Sequence, residues 1–333
     1  MKPSSLVGVL LIPMCALALI GRSSTAVAAG SSFPEKGRTI TFIVPSAAGG
    51  QNDLAARMLA PLLEKELNTT VQVMAKPGAG AQVGSTTLAM AKPDGYTIGY
   101  IIFPPSVSAY LDPDRKAVYN RKNFQTLGTH FSAPIVISVA ANSPYKSVAD
   151  IVEAAKAKPR AIKAGATGVL GSAHLAALQL QRATGAKFAM VQFDGGAPAL
   201  TSLIGGHIDI AFNGQTEVIG FARSGQIRVL ANFGKEEIAL LPGTKPMEAY
   251  GYKLYMLSST GVCAPAGVSK EVIQVYSEAI KKAVNSKDHQ QRLLEMGYAP
   301  KFIGPDEYAA DWAEYEAEIK PLIEMGKMED ISN

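Results

Sequence analysis

The chain has 333 residues, of which 47% are apolar and 18% charged. That composition is globular, and the length is ample for a full hydrophobic core without metal or disulfide staples, so disordered and collagen-like classes are excluded. Formal charge is +4; setting aside Lys2 and Arg22 leaves 30 basic residues against 28 acidic ones, too even a balance for a protein whose main partner is nucleic acid.

Taken in chain order, the first 28 residues read as an export leader. Lys2 gives a positive start, Leu6 to Ile20 is an apolar run broken only by Pro13, and Ala26-Val27-Ala28 is a small-x-small cleavage pattern. The run is short for a membrane span and ends in small residues. A cleaved, exported protein is expected, with the mature chain soluble in the periplasm. Cys15 follows Pro13 and Met14, a poor lipobox, and cleavage near Ala28 leaves Cys263 alone. A lone thiol in the apolar run Gly261-Val262-Cys263-Ala264 reads as core.

After the leader, short strand-like runs alternate with helical patterns, the signature of an α/β fold with largely parallel strands. Thr39 to Val44 reads as a strand and Leu54 to Leu67 as a helix capped by Asn52 or Asp53. A strand over Val71 to Met74, a Gly-rich stretch from Pro77 to Gly84, a helix ending near Ala91 and a strand over Tyr96 to Phe103 follow. Pro93-Asp94-Gly95 is a turn. Residues 112–124 read as a charged surface connection. Ile135 to Ala140 is a strand, and Ser147 to Ala157 a helix with Ser147 and Asp150 as a capping pair. Residues 161–166 and 187–193 lead through small-residue loops into helices at Ala173 to Thr184 and Pro198 to Leu203. Further strands are expected at Ile208 to Phe212, Ile227 to Asn232 and Ser259 to Ala264. The tail from Lys270 to Met325 reads as all helix.

Enzyme signatures are mostly absent: there is no G-x-S-x-G, H-E-x-x-H, C-x-x-C or Walker loop. Gly78-Ala79-Gly80 with Gly84 falls one residue off the dinucleotide fingerprint. Ser172 and His174 are the sole close nucleophile-and-base pair. Two residues apart at a helix start their side chains diverge, and the plainer reading is that Ser172 caps the helix while His174 packs in its first turn. No metal-ligand spacing is present and no cofactor is expected. What recurs instead is strand, small-residue loop, helix N-terminus, at Pro45 to Asp53, Thr167 to Ser172 and Asp194 to Ala197. Such loops free backbone N–H groups along a helix dipole and suit an anion; in parallel sheets ligands bind beyond the strands' carboxyl ends. Each loop read singly is equally a tight turn permitted by small residues. None carries Lys or Arg.

These residues resemble a known family. Ile40 to Arg57 is similar to the opening motif of the Bug-type solute receptors of tripartite tricarboxylate transporters. The likeness continues through Lys76 to Gly80, Ala91 to Thr97, Gly171 to Leu175, Gly195 to Leu200, Leu203 to Asp209, Gly225 to Ala231 and Ala264 to Val268. The resemblance implies a two-lobed periplasmic-binding-protein fold, type II-like, with a hinge and an interlobe cleft. It implies a receptor that binds a small carboxylate and delivers it to inner-membrane transporter subunits without catalysis, working as a monomer. The binding positions it implies are Ser46, Ala47, Gly49, Gly50, Asn52 and Asp53 in the first loop, Pro104 and Ser106 after Phe103, Gly168, Gly171 and Ser172, and Asp194, Gly195, Gly196 and Ala197. Departures stand at Asn52, where the family usually has Thr or Ser, at Ala75, where Asn is common, and at Gln192-Phe193-Asp194-Gly195. Asp194 either faces the ligand, where it would repel a second anion, or caps the helix after it. The expected lobes are residues 33–131 with 265–333, and residues 132–264. The alternatives are an exported α/β hydrolase using Ser172 and a receptor presenting ligand to a membrane sensor.

Overall fold

The structure, a computed structural model, describes residues 33–331. The leader, its cleavage position near Ala28 and Cys15 lie outside the described residues. The described chain runs β1 (Ile40–Val44), α1 (Gln51–Leu67), β2 (Val71–Ala75), α2 (Gln82–Ala89), β3 (Thr97–Phe103), α3 (Pro105–Leu111), β4 (Phe124–Ala140), α4 (Val148–Ala157), β5 (Lys163–Thr167), α5 (Ser172–Thr184), β6 (Ala189–Phe193) and α6 (Gly196–Ile204). It continues with β7 (Ile210–Gly214), α7 (Gln215–Arg223), β8 (Ile227–Asn232), β9 (Leu257–Pro265), α8 (Lys270–Val284), α9 (Lys287–Glu295), β10 (Ala299–Pro300) and α10 (Pro305–Ile331).

The strands form one mixed sheet in the order β2-β1-β3-β9-β4-β7-β5-β6, with β8 and β10 also pairing β4. Parallel β2-β1-β3 and parallel β6-β5-β7 are its two wings. Between them lies β4, 17 residues long. Its first half pairs antiparallel with β9 and β10, its second half with β7 and β8, and its register slips three times along the way. Such bulges bend a strand and increase its twist, which lets one strand serve two differently directed half-sheets. The expected strand at Ile135 to Ala140 is the second half only.

Each wing is covered on both faces, as parallel sheets must be. In β1 the alternation is visible: Ile40, Phe42 and Val44 pack with α1 and α8, while Ile43 packs on the opposite side with Leu88, Ile101 and Phe103. Leu59 and Leu63 on α1 are fully buried, four residues apart on one helical face. In the second wing α5 is buried almost all round, with Leu175, Ala176, Ala177, Leu178 and Leu180 at zero exposure, because α10 covers the face that the sheet leaves open. The tail thus divides: α8 and α9 pack with the first wing's core, whereas α10 reaches both α3 and α5. It is not all helix, since β10 joins β4 at Phe131 and Ser132.

Ser147 and Asp150 form the expected capping box. Two other caps differ. α1 begins at Gln51 with Gly50 as N-cap, leaving Asp53 in the first turn. α5 begins at Ser172 with Gly171 as N-cap and no side-chain cap. In both, the glycine carbonyl takes the first helical amide, a role that needs no side chain. Cys263 is buried, with its thiol pushed far up by that burial. Among the described residues no helix is long and apolar enough to cross a membrane.

Candidate functional site

The carboxyl ends of β1, β3, β5, β6 and β7 deliver the loops that the sequence singled out. In the first loop Asp53, 1% exposed, accepts the Gly49 amide at 2.9 Å and pairs with Arg57 at 2.8 and 3.1 Å. The hydrogen bond from the Arg57 guanidinium holds its carboxyl below the usual carboxylate range. Asn52 Oδ1 accepts from Thr260 Oγ1 on β9. Ser46 Oγ is buried without a hydrogen-bond partner among the described residues; Ala47, Gly49 and Gly50 form the turn between.

The segment after Phe103 is held from beneath. Pro104 is buried and its carbonyl accepts the Val107 and Ser108 amides. Ser106 has no exposure; its hydroxyl bonds Ser85 Oγ on α2 at 3.0 Å and accepts the Ile102 amide at 3.2 Å. Ser106 is therefore a fully engaged support rather than a free donor. Gly168 and Gly171 bracket the third loop, where Leu170 adopts φ +57° and Gly168 +67°. A buried, non-glycine residue in the left-handed region costs of order 1 kcal/mol and marks a loop whose shape matters. Its amide donates to His174 Nδ1 at 3.0 Å and its carbonyl accepts Ser108 Oγ at 3.2 Å. That bond engages His174 Nδ1 with the loop backbone rather than with Ser172.

In the fourth loop α6 starts at Gly196, two residues before the expected Pro198, with Gly195 as N-cap and no capping side chain. Asp194 is exposed and does not cap this helix. Gly196 packs flush against the carboxylate of Glu217, with which any Cβ there would collide. Neither α7 nor Glu217 was anticipated: Gly214 stands where a Ser or Asp cap would announce a helix, and the sole signal was Glu three residues later.

Contacts between these loops close a circuit. Pro45 lies against Gly84 of α2, and Ser85 bonds Ser106. Ser108 bonds Leu170, and the Gly168 amide bonds the Phe193 carbonyl beside Asp194. Gly196 meets Glu217, Gln215 Nε2 donates to the Gly297 carbonyl, and Tyr298 Oη donates to Gln51 Oε1 at 3.0 Å. Pairing of Thr167 with Phe193 sets the third and fourth loops side by side. No Lys or Arg lies in residues 46–53, 104–106, 168–172, 194–197 or 214–217, so charge complementarity to an anion rests on main-chain amides.

A separate cavity of about 330 Å³ lies on the other face of β9: Ser259 lines it while the next residue, Thr260, faces Asn52. Lys235 and Lys301 share it with Asp311, Glu314 and Glu318 among aromatic rings. None of the expected site residues lines it. Its two lysines share it with three acids, whereas α5 opens onto the circuit with no acid in its first turn.

Two sheet wings sharing a long strand, with strand-to-helix loops of both wings facing one another, define an α/β solute-binding protein of the periplasmic-binding-protein type. No cluster of His, Cys, Asp or Glu that could hold a metal occurs among the described residues. Residues 55–327 match the family described as Tripartite tricarboxylate transporter family receptor, and the chain belongs to that family. A TctC solute-binding protein from Polaromonas is similar in structure with a TM-score of 0.79 at 26% identity, over 87% of this chain and 99% of that one. The periplasmic binding protein BugD gives 0.69 at 25% identity, over 87% and 98%. Protein BugT of Bordetella pertussis is 29% identical over 276 residues, 81% of this chain and 83% of its own. The Bug-type resemblance read from the motifs therefore holds over residues 55–327, and the protein is a solute receptor of the tripartite tricarboxylate type.

Proposed function

We propose that the protein is exported, loses its leader near Ala28, and acts in the periplasm as a monomer that binds a small organic carboxylate and delivers it to inner-membrane transporter subunits. The two lobes are residues 33–131 with 265–333, and residues 132–264, and the ligand lies inside the loop circuit between them. Ser46, Asn52, Ser172 and the amides of Gly195, Gly196 and Ala197 are its contacts, while the amides of Gly49, Gly50 and Gly171 hold the loops themselves, bonded to Asp53, Ala47 and Gly168. One observation carries this reading: the loops from both wings meet around helix N-termini that hold no basic residue, an arrangement that receives a carboxylate through backbone N–H groups.

The test is a melting-temperature panel of mono-, di- and hydroxycarboxylates on purified protein. A ligand at 100 times its dissociation constant stabilises by about 2.7 kcal/mol. Ser172→Ala removes a half-buried hydroxyl at the start of α5 and should weaken binding while leaving the unliganded melting point unchanged. A panel without any shift would refute the carboxylate assignment.

A further inference from the structure

Four helices open onto the circuit: α1, α5, α6 and α7. Three of their N-termini are already served by carboxylates of the chain itself. Asp53 occupies the first turn of α1. Glu217 occupies the first turn of α7, where its Oε2 accepts from the Gly214 amide at 3.2 Å and from Asn213 Nδ2 at 2.9 Å. The same carboxylate is pressed against Gly196, the first residue of α6, so one charge serves two helix ends. Neither α5 nor α6 has an acid in its own first turn, but α6 has Glu217 against it.

We propose that Glu217 is a specificity-determining residue, filling the anion position at α6 with the protein's own charge and so restricting the receptor to monocarboxylates that carry a hydrogen-bond donor at their far end. This deepens the carboxylate reading above and rests on it. The ligand carboxylate takes the vacant helix end at Gly171 and Ser172. Its other end meets Glu217, whose Oε1 accepts no hydrogen bond among the described residues, the bonds from Asn213 and Gly214 both falling on Oε2, and beside it Asn213, fully buried with Oδ1 unpartnered among the same residues. Two adjacent acceptors without a proton to receive call for a donor, since a buried polar atom left unpaired is costly. A hydroxyl or ammonium group supplies one; a second carboxylate supplies repulsion instead. Asp194, exposed on the loop that opens α6, adds charge of the same sign, and no Lys or Arg in the loops offsets either. Asp194 was the acid that the sequence reading set against a second anion. The structure shows Glu217 to be the one in contact with the helix end, because α7 brings it there from the neighbouring strand.

The experiment is isothermal titration with unbranched α,ω-dicarboxylates of three to eight carbons and the ω-hydroxy and ω-amino acids of equal length. For the wild-type protein the hydroxy or amino acid should bind at least tenfold more tightly than the dicarboxylate of its length. Glu217→Gln keeps an acceptor for the Gly214 amide and should shrink that ratio by at least tenfold, chiefly through better dicarboxylate binding. The wild-type ratios stand even if this variant fails to fold. Dicarboxylates bound as tightly as their partners by the wild type, or a ratio unmoved by Glu217→Gln, would overturn the role of Glu217 and leave the receptor reading intact. No binding by any compound in either protein would overturn both.

Discussion

Gly84 sets the contact between α2 and the first loop, and its replacement by alanine tests whether that contact is real. In an ordinary helix the change is stabilising by about 1 kcal/mol, because glycine is the poorer helix former. Here a Cβ would lie 2.6 Å from the Pro45 Cα and Cβ and 2.8 Å from the Lys76 carbonyl oxygen. Carbon atoms rest about 3.5–4.0 Å apart at best, so α2 or the loop must shift by roughly 1 Å. Neither backbone nor a proline ring yields by rotating a side chain. Overpacking of this kind costs about 1–3 kcal/mol, and subtracting the helix gain leaves a net loss of about 0–2 kcal/mol. Displacing α2 also disturbs the Ser85–Ser106 bond, so ligand affinity should fall with stability. Urea unfolding with an unchanged m-value is the assay for the first effect, titration of whichever carboxylate binds the wild type for the second. A Gly84→Ala protein more stable than wild type by the full helix gain of about 1 kcal/mol would refute the close packing.

Two further outcomes follow from buried groups. His130 and His289 stack with ring centroids 5.0 Å apart, their Nε2 atoms 2.7 Å from each other, and His130 Nδ1 lies 2.5 Å from Tyr100 Oη. Burial lowers both imidazoles, His289 to about 4, with Arg292 adding to the effect there. Between about pH 6.5, the ordinary value, and pH 4 the unfolded chain therefore binds protons that the native chain refuses, and stability must fall as pH falls. Each such group contributes up to about 1.4 kcal/mol per pH unit; His289→Gln should flatten the slope, and identical slopes in unfolding titrations would count against the buried pair. Cys263, fully buried with its thiol pushed up, should resist alkylation in the native protein and react fully in denaturant; labelling of the native protein at the denatured rate would contradict its placement.

Much of the fold was legible locally. The buried stripe of α1, the capping pair Ser147 and Asp150, and the turn at Pro93 to Gly95 each announce themselves within a few residues. β4 did not, because Gly128, His130 and Pro134 interrupt its first half and its partners lie more than a hundred residues away in β9. The loops of the site were visible as small-residue stretches between strand and helix. Their arrangement was not. Glu217 reaches Gly196 only because β7 pairs with β5, and a glycine cap gives a helix no side-chain signal. Ser172 and Asp194 were weighed as helix caps on composition; glycine carbonyls took that role, leaving both side chains available at the loop surface.

The circuit of loops has one property that its individual bonds do not. Loops of the β1–β3 wing meet those of the β5–β7 wing through hydrogen bonds at two places, Ser108 with Leu170 and Gln215 with Gly297. A ring joined at two seams cannot be parted at one of them without turning about the other. Each seam is a single neutral hydrogen bond, contributing about 0.5–1.5 kcal/mol net. Together they amount to about what a ligand at a hundred times its dissociation constant supplies by linkage. For a ligand lying inside the circuit, as proposed, departure and the parting of the seams are steps of similar size.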